Sequence, residues 1–396
     1  MPTDIQQLKS RITAEVEALQ EQLIDLSLRI HAHPEIAFQE EQASAWLTEY
    51  LEGHGFRVER GICDLPTAFR AERGEGAPRV ALLAEYDALP GIGHGCGHNI
   101  IATASVGAGV AVDAVREEVG GSVVVIGTPA EEVYGGKVLM ARRGAFEGLD
   151  AAMLCHPGSR NAAYAHALAC AELTVEYFGK EAHAAARPEA GVNALDALII
   201  AFNGIAALRQ HIRSSARIHG IITEGGQAPN IVPGHAAGSF LVRAEDEEYL
   251  EELKGRVIAC FEAGAQATGA RLEYRWGEAQ YAAMRTNSPL AEAYRANLET
   301  VGRQIEDAGT SRSMGSTDMG NVSALVPAIH PTIAIAPRDV SAHSPEFARC
   351  AASEDGHRGL IDATRALAFT AVDVLADADL RQQMRDAFEE TGRADA

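Results

Sequence analysis

Short apolar runs at Val80 to Ala84, Val123 to Ile126, Ala151 to Cys155 and Thr332 to Ala336, each closed by polar residues or by Gly and Pro, constrain this chain most. Runs of this length without polar alternation are strands buried on both faces, the environment of a parallel sheet covered by helices. Between the first two, Ala102 to Val115 is small and apolar, the composition of a helix packed closely on a sheet. Strand, helix, strand in this order predicts an α/β fold with a mostly parallel sheet. Ahead of it, Ile5, Leu8, Ile12, Val16, Leu19, Leu23, Leu26 and Ile30 recur at steps of three and four, the spacing of one helical face. A second helix is predicted over Glu40 to Gly53.

The middle of the chain has another texture. Leu173 to Phe178 alternates like a strand, and Asn193 to Leu208 has helical spacing. Ile218 to Thr223 and Ala236 to Val242 read as strands, Glu245 to Ala267 as a helix and Arg271 to Arg275 as a strand. The order β-α-β-β-α-β is that of a ferredoxin-like α+β domain. The expected organisation is thus a sheet domain of residues 1–169 and 286–396, flanked by helices, with residues 170–285 inserted. A helix from Leu360 to Leu375 closes the second half, and the last dozen or so residues read as a solvated tail.

Composition narrows the function. Lys and Arg number 34 against 55 Asp and Glu, a net charge of −21, which repels nucleic-acid phosphates and anionic membranes. No stretch approaches the roughly 18 uninterrupted apolar residues of a transmembrane helix, and the amino terminus lacks a basic segment followed by an apolar one. The expected address is the cytoplasm, with neither nucleic acid nor membrane as partner. Six cysteines, scattered without paired spacing, argue against a disulfide framework.

In parallel α/β sheets, ligands bind beyond the carboxyl ends of the strands. Here those ends carry Glu85 and Asp87, then the segment Gly91 to Asn99 with His94, Cys96 and His98. Glu131-Glu132, His156 and His343 follow the other runs. Histidine, cysteine and carboxylate groups gathered at one rim suit a transition-metal site, Zn or another late divalent ion, with Mn also compatible with the carboxylates. Glycines around Cys96 and His98 point to a loop on which both side chains converge. In extended backbone, Glu131 and Glu132 face opposite ways, so that one binds metal while the other serves as general base toward the substrate. Taken singly, each has a commoner bland reading: Cys96 as a small buried core residue, His343 as a hydrogen-bonded surface or core histidine, and the Glu pair as a solvated acidic pair or a helix start. Their joint position after separate apolar runs favours the metal site.

At these residues the chain resembles the di-metal amidohydrolases that include aminoacylases, carboxypeptidase G and dipeptidases. It is most similar to the branch with auxin-conjugate hydrolases, aminobenzoyl-glutamate hydrolase and β-alanyl-lysine-type dipeptidases. The resemblance runs over nearly the whole chain through His31 to Glu35, Asp87 to Pro90, His94 to Asn99, Pro129 to Glu132, Gly179 to Ala184, Asn230 to Pro233 and His343. It implies two divalent metal ions, Zn or Mn, held by Cys96, His98, Glu132, His156 and His343, with Cys96 in place of a bridging carboxylate. Glu131 would be the general base and Asp87 the carboxylate that orients a ligand histidine. The insertion would be a lid and dimerisation domain, and His183 would reach across a homodimer to the oxyanion. Asn230 would contact substrate, and Arg243 would clamp its carboxylate.

Two positions depart from the pattern: Asn99 stands where many auxin-conjugate hydrolases have Asp, and Glu85 where many of the wider family have His. The resemblance implies cleavage of the amide of an N-acyl or N-aroyl amino acid or a small dipeptide. The rivals are hydrolytic deamination of an aromatic amine at the same site, and a metal-poor dimer that binds amide-like ligands without turnover.

Overall fold

The computed structural model describes residues 4–306 and 315–394. By its packing the chain divides into two units, the second of which comprises Ala167–Ala283 with a short later segment. Each unit is described by itself.

The first unit opens with α1 (Ile5–Ala32), whose apolar positions form one buried stripe and whose first turn is capped by Asp4, its Oδ1 accepting from the Gln6 and Gln7 N–H groups. It continues through α2 (Glu41–Gly53), β1 (Arg57–Arg60), β2 (Phe69–Gly74), β3 (Arg79–Ala84), α3 (His98–Val119), β4 (Ser122–Gly127), α4 (Gly136–Arg142), β5 (Ala151–Met153) and β6 (His156–Gly158). The second unit holds β7 (Ala169–Phe178), α5 (Ala194–Leu208), β8 (Arg217–Glu224), β9 (His235–Ala244), α6 (Glu247–Thr268) and β10 (Arg271–Trp276). The first unit then resumes with α7 (Ser288–Thr300), α8 (Met319–Ser323), β11 (Ala328–Ile329), β12 (Thr332–Ala334), α9 (Pro345–Ala351), α10 (Glu354–Ala376) and α11 (Ala378–Ala394).

The main sheet runs β1-β2-β4-β3-β5-β11, parallel from β4 onward and antiparallel at the β1 and β2 edge. The predicted α/β class with a mostly parallel sheet is the one observed. Helix α3 lies against it and is buried over most of its length. A Cβ at Gly107 would stand 2.8 Å from the Leu23 methyls, and one at Gly109 would stand 2.7 Å from Val125, so glycine sets how closely α3 approaches α1 and the sheet. By length and composition α3 could cross a bilayer, yet its apolar surface is buried inside the protein.

The run from Thr332 to Ala336 is a strand only over Thr332–Ala334 and does not join the main sheet, which ends instead on a separate short strand just ahead of it. Ala328–Ile329 completes the main sheet, while β12 pairs in parallel with β6 in a separate two-stranded sheet, Thr332 opposite His156. Pro331 separates the two pieces and has no N–H to donate to a continuous ladder. His343 therefore follows this small sheet and not a strand of the main one. The end of the chain, expected as a solvated tail, is helical, with α11 running to Ala394, and is mostly exposed from Arg385 to Thr391. Its Leu380, Met384 and Phe388 recur at steps of four, Met384 is buried, and the Met384 carbonyl accepts from Asn287 Nδ2 at 2.8 Å.

In the second unit the sheet order is β10-β7-β9-β8, all antiparallel, with α5 and α6 packed together. That is the ferredoxin-like arrangement predicted from element order.

Candidate metal centre

Glu85, Asp87, Glu131 and Glu132 lie just past the ends of β3 and β4, and His98 opens α3. The glycine-rich loop ends at Gly97, one residue earlier than the sequence suggested. Gly97 has φ +77°, and a Cβ there would sit 2.5 Å from Pro157, so only glycine turns the chain tightly enough between Cys96 and His98. Asn99, on the next position, donates from Nδ2 to Ser27 Oγ at 2.9 Å and to the Ala351 carbonyl at 3.3 Å. It ties α3 to α1 and α9 and is a core anchor.

Three overlapping groups of donor atoms meet within 4.8 Å of one another: Cys96, His98 and His156; Cys96, Glu132 and His343; and His98, Glu131 and Glu132. Cys96 belongs to two of them. Residues 131–134 form a turn and not the extended backbone assumed from sequence, which is why both glutamates reach the same cluster. Ala130 just before it has φ +60° and His343 has φ +63°, both left-handed and unfavourable for residues with a side chain.

The hydrogen bonds select which nitrogen each imidazole presents. His98 Nδ1 donates to Asp87 Oδ1 at 2.9 Å, and Asp87 Oδ2 accepts the Glu132 N–H at 3.0 Å, so one carboxylate aligns two members of the cluster. His156 Nδ1 donates to the Pro157 carbonyl at 2.6 Å, turning Nε2 to Cys96 Sγ at 3.4 Å. His343 Nε2 lies 3.3 Å from Glu132 Oε2. His98 Nε2 and Glu132 Oε1 are buried, and neither has a hydrogen-bond partner among the described residues. Buried polar atoms are rarely left so, and a soft thiol with imidazoles and carboxylates is the donor set of a late divalent ion. The residues present therefore fit a metal centre.

The electrostatics agree. Burial pushes the Cys96 thiol pKa up, against the opposing pull of His98. Burial also opposes Glu132 ionisation, yet His343 and His98 hold its pKa down at about 2. Asp87 overrides burial and raises the pKa of His98. Glu131 is pushed upward by burial, by Glu85 and by Asp318.

A buried ion cluster adjoins the centre that sequence reasoning did not find. Lys137 on α4 is fully buried, its Nζ 2.6 Å from Glu85 Oε1 and 2.7 Å from Asp318 Oδ1, while its backbone N–H donates to Asp318 Oδ2 at 2.9 Å. Glu85 Oε2 lies 3.6 Å from His98 Nε2. The departure at Glu85 is thus explained as one arm of an ion pair. His330, buried with its ring 5.3 Å from that of His156, was also missed. A lone Lys inside an apolar helical stretch is the only signal the sequence held for this cluster.

His183, Asn230 and Arg243 belong to the second unit. His183 is exposed and its Nδ1 accepts from the Ala185 and Ala186 N–H groups, at 3.3 and 3.1 Å, which leaves the ring proton on Nε2. Asn230 is brought beside it, its carbonyl accepting the Ala184 N–H at 3.0 Å. Arg243 on β9 donates to Ser316 Oγ at 2.9 Å.

The sequence pattern of peptidase family M20/M25/M40 matches residues 81–360. The chain is 38% identical to the Xaa-Arg dipeptidase of Mus musculus, covering 97% of this chain and 93% of that protein. It is 35% identical to one of the subunits of the p-aminobenzoyl-glutamate hydrolase of Escherichia coli, over 69% of this chain and 62% of that protein. The solved structure of a dinuclear metal-binding peptidase from Bacillus subtilis superposes with a TM-score of 0.72 at 21% identity, covering 91% of this chain and 99% of that one. The aminobenzoyl-glutamate utilization protein of Klebsiella pneumoniae superposes with a TM-score of 0.72 at 18% identity, over 92% of this chain and 98% of that one. These likenesses extend across the sheet and helices that carry the donor cluster, and the chain accordingly belongs to peptidase family M20/M25/M40, as a hydrolase that cleaves peptide or amide C–N bonds with divalent metal.

Proposed function

We propose that the chain hydrolyses the amide of an N-acyl or N-aroyl amino acid or a small dipeptide, with Glu131 as general base and then general acid. The observation that carries this reading is the meeting of Glu131 and Glu132 with His98 in one donor group, which shares His98 and Glu132 with two further groups built on Cys96. Cys96, His98, Glu132, His156 and His343 would hold two ions, Zn or Mn, with Cys96 common to both. When bound, such ions polarise a carbonyl and make water acidic enough to attack it near neutral pH. Glu131 takes the proton from that water and returns it to the leaving nitrogen. Asp87 keeps His98 and Glu132 aligned.

Across a pair of subunits His183 would offer an Nε2–H to the oxyanion, and Asn230 and Arg243 would contact the substrate, Arg243 by clamping a substrate carboxylate. The two relatives above are named for an Xaa-Arg dipeptide and for p-aminobenzoyl-glutamate, amides whose leaving amino acid keeps a carboxylate. The unpaired thiols suit a reducing compartment, the cytoplasm. The test is amine release from N-acyl amino acids, p-aminobenzoyl-glutamate and Xaa-Arg dipeptides. Mn- or Zn-loaded protein turns over at least one class, and stripping the metal with a chelator abolishes that turnover. Silence across the set with both metals bound defeats the reading.

The second unit is proposed to pair with a second copy. Strand β8 is the edge of its sheet, and Ile221 and Ile222 on it, with Ile199 on α5, are exposed, an arrangement that invites another chain. In the pair, the partner subunit's His183 would serve the centre. Sedimentation should give a dimer for the wild type and a monomer for Ile221→Lys, with kcat falling together with dimer content. A fully active monomer at assay concentration sinks this arrangement.

A further inference from the structure

We propose that Glu40 is a positioning residue for Glu131, a buried carboxylate that locks the turn carrying the base. This inference rests on the reading of Glu131 given above. Glu40 is fully buried just ahead of α2, far in sequence from the cluster. Its Oε1 accepts the Ala130 N–H at 2.9 Å and the Phe38 N–H at 3.0 Å, and its Oε2 accepts from Thr67 Oγ1 at 2.9 Å. Both backbone donors come from left-handed residues, Ala130 at φ +60° and Phe38 at φ +60°. Neither residue is glycine, so neither adopts that conformation unaided, and a single carboxylate oxygen holds the two together.

The second hold on the turn is aromatic. The Phe38 ring stacks on Tyr134 at 5.6 Å with an interplanar angle of 13°, and Tyr134 is the last residue of the 131–134 turn. The turn is therefore fixed at its start by Glu40 through Ala130 and at its end by Phe38, which Glu40 also holds. Burial raises the Glu40 pKa to about 7 against the pull of its N–H donors. A residue that only filled space there would be apolar, because an ionisable group in such a site is costly.

The consequence is kinetic. Glu131 must stand within hydrogen-bond reach of the water it deprotonates, and a misplacement of about 1 Å costs on the order of 10²-fold in rate. Glu40→Asp keeps the carboxyl group and withdraws it from Ala130 by one methylene. Measured on metal-loaded protein with the best substrate of the set above, Glu40→Asp should lower kcat by about 10 to 10²-fold while KM, metal stoichiometry and Tm stay near wild type. Glu40→Gln retains an acceptor for Ala130 and should remain within about threefold of wild type. Adding Ala130→Gly to Glu40→Asp should restore most of the lost kcat, because glycine takes φ +60° without help.

Wild-type kcat in Glu40→Asp overturns the proposal. So does a loss that merely follows the folded fraction, a Glu40→Gln as damaged as Glu40→Asp, or a failure of Ala130→Gly to rescue. If Glu131→Gln stays active, it is the assignment of the base that has failed. A dead Glu131→Gln beside a fully active Glu40→Asp rejects only the role of Glu40.

Discussion

Glu131→Gln loses about 10²- to 10⁴-fold in kcat while binding metal at wild-type stoichiometry, the scale expected when a general acid–base group is removed. The amide has the shape of the carboxylate and cannot accept the proton of the attacking water. The five other donors remain, with Asp87 still bonded to His98 and to the Glu132 backbone. Metal analysis by atomic emission, together with calorimetric titration of an uncleaved substrate, separates lost chemistry from lost binding. Substrate affinity should change little, because the carboxylate acts on water and on the leaving nitrogen. Activity within tenfold of wild type would remove Glu131 from its role and leave the fit of the metal centre untouched.

Lys137→Met is expected to destabilise the folded protein by about 3 to 5 kcal/mol, the usual cost of removing one partner from a buried ion pair. The reason lies in what is left behind. Glu85 and Asp318 are fully buried, and without the ammonium nothing comparable compensates them. Burial would raise the Glu85 pKa, but Lys137 and then His98 hold it at about 2. In the wild type this contributes stability above the ordinary carboxylate pKa near 4.5, lost only as pH falls toward 2. In Lys137→Met the sign reverses: the buried carboxyl now favours its protonated form, so the protein loses stability as pH rises. Urea unfolding at pH 5.5 and pH 8 should show the larger deficit at pH 8. The triple change Glu85→Leu, Lys137→Met and Asp318→Leu should recover part of it, since an apolar cluster carries no desolvation cost. An unfolding free energy within about 1 kcal/mol of wild type at pH 8 would show that the cluster bears little weight.

Strands and helices were legible where packing follows periodicity. Seven of the eight apolar positions from Ile5 to Ile30 are buried on one face of α1, with Ile5 half-buried at its start, and the both-faces-buried strands at Val80 and Val123 stood out as unbroken runs. The centre was legible for a related reason: its donors cluster where β3 and β4 end, and residue type announces metal chemistry. What escaped depended on contacts distant in sequence. Lys137 and Asp318 are 181 residues apart, and Glu40 and Ala130 are 90 apart, so no local pattern joins them. The division at Pro331 was visible in the sequence, yet which strand each piece joins is set by pairing with β5 and β6. The turn at 131–134 followed the same logic, because its left-handed entry at Ala130 is held by a group from elsewhere in the chain.

Helix α3 begins with His98 and continues for 22 residues through the apolar interior, clasped between α1, α10 and the sheet. It behaves as a strut embedded along its shaft with its tip in the reaction zone. Gly107, nine residues along, lies about 13 Å from that tip at the rise of an α-helix. A methyl group added there meets Leu23 and Thr364, and relief by axial sliding would carry the imidazole with it. Hydrophobic drift in the interior and tuning of the chemistry are consequently not independent: sequence change near the shaft is filtered by registration at the tip, however far it lies from any reacting atom.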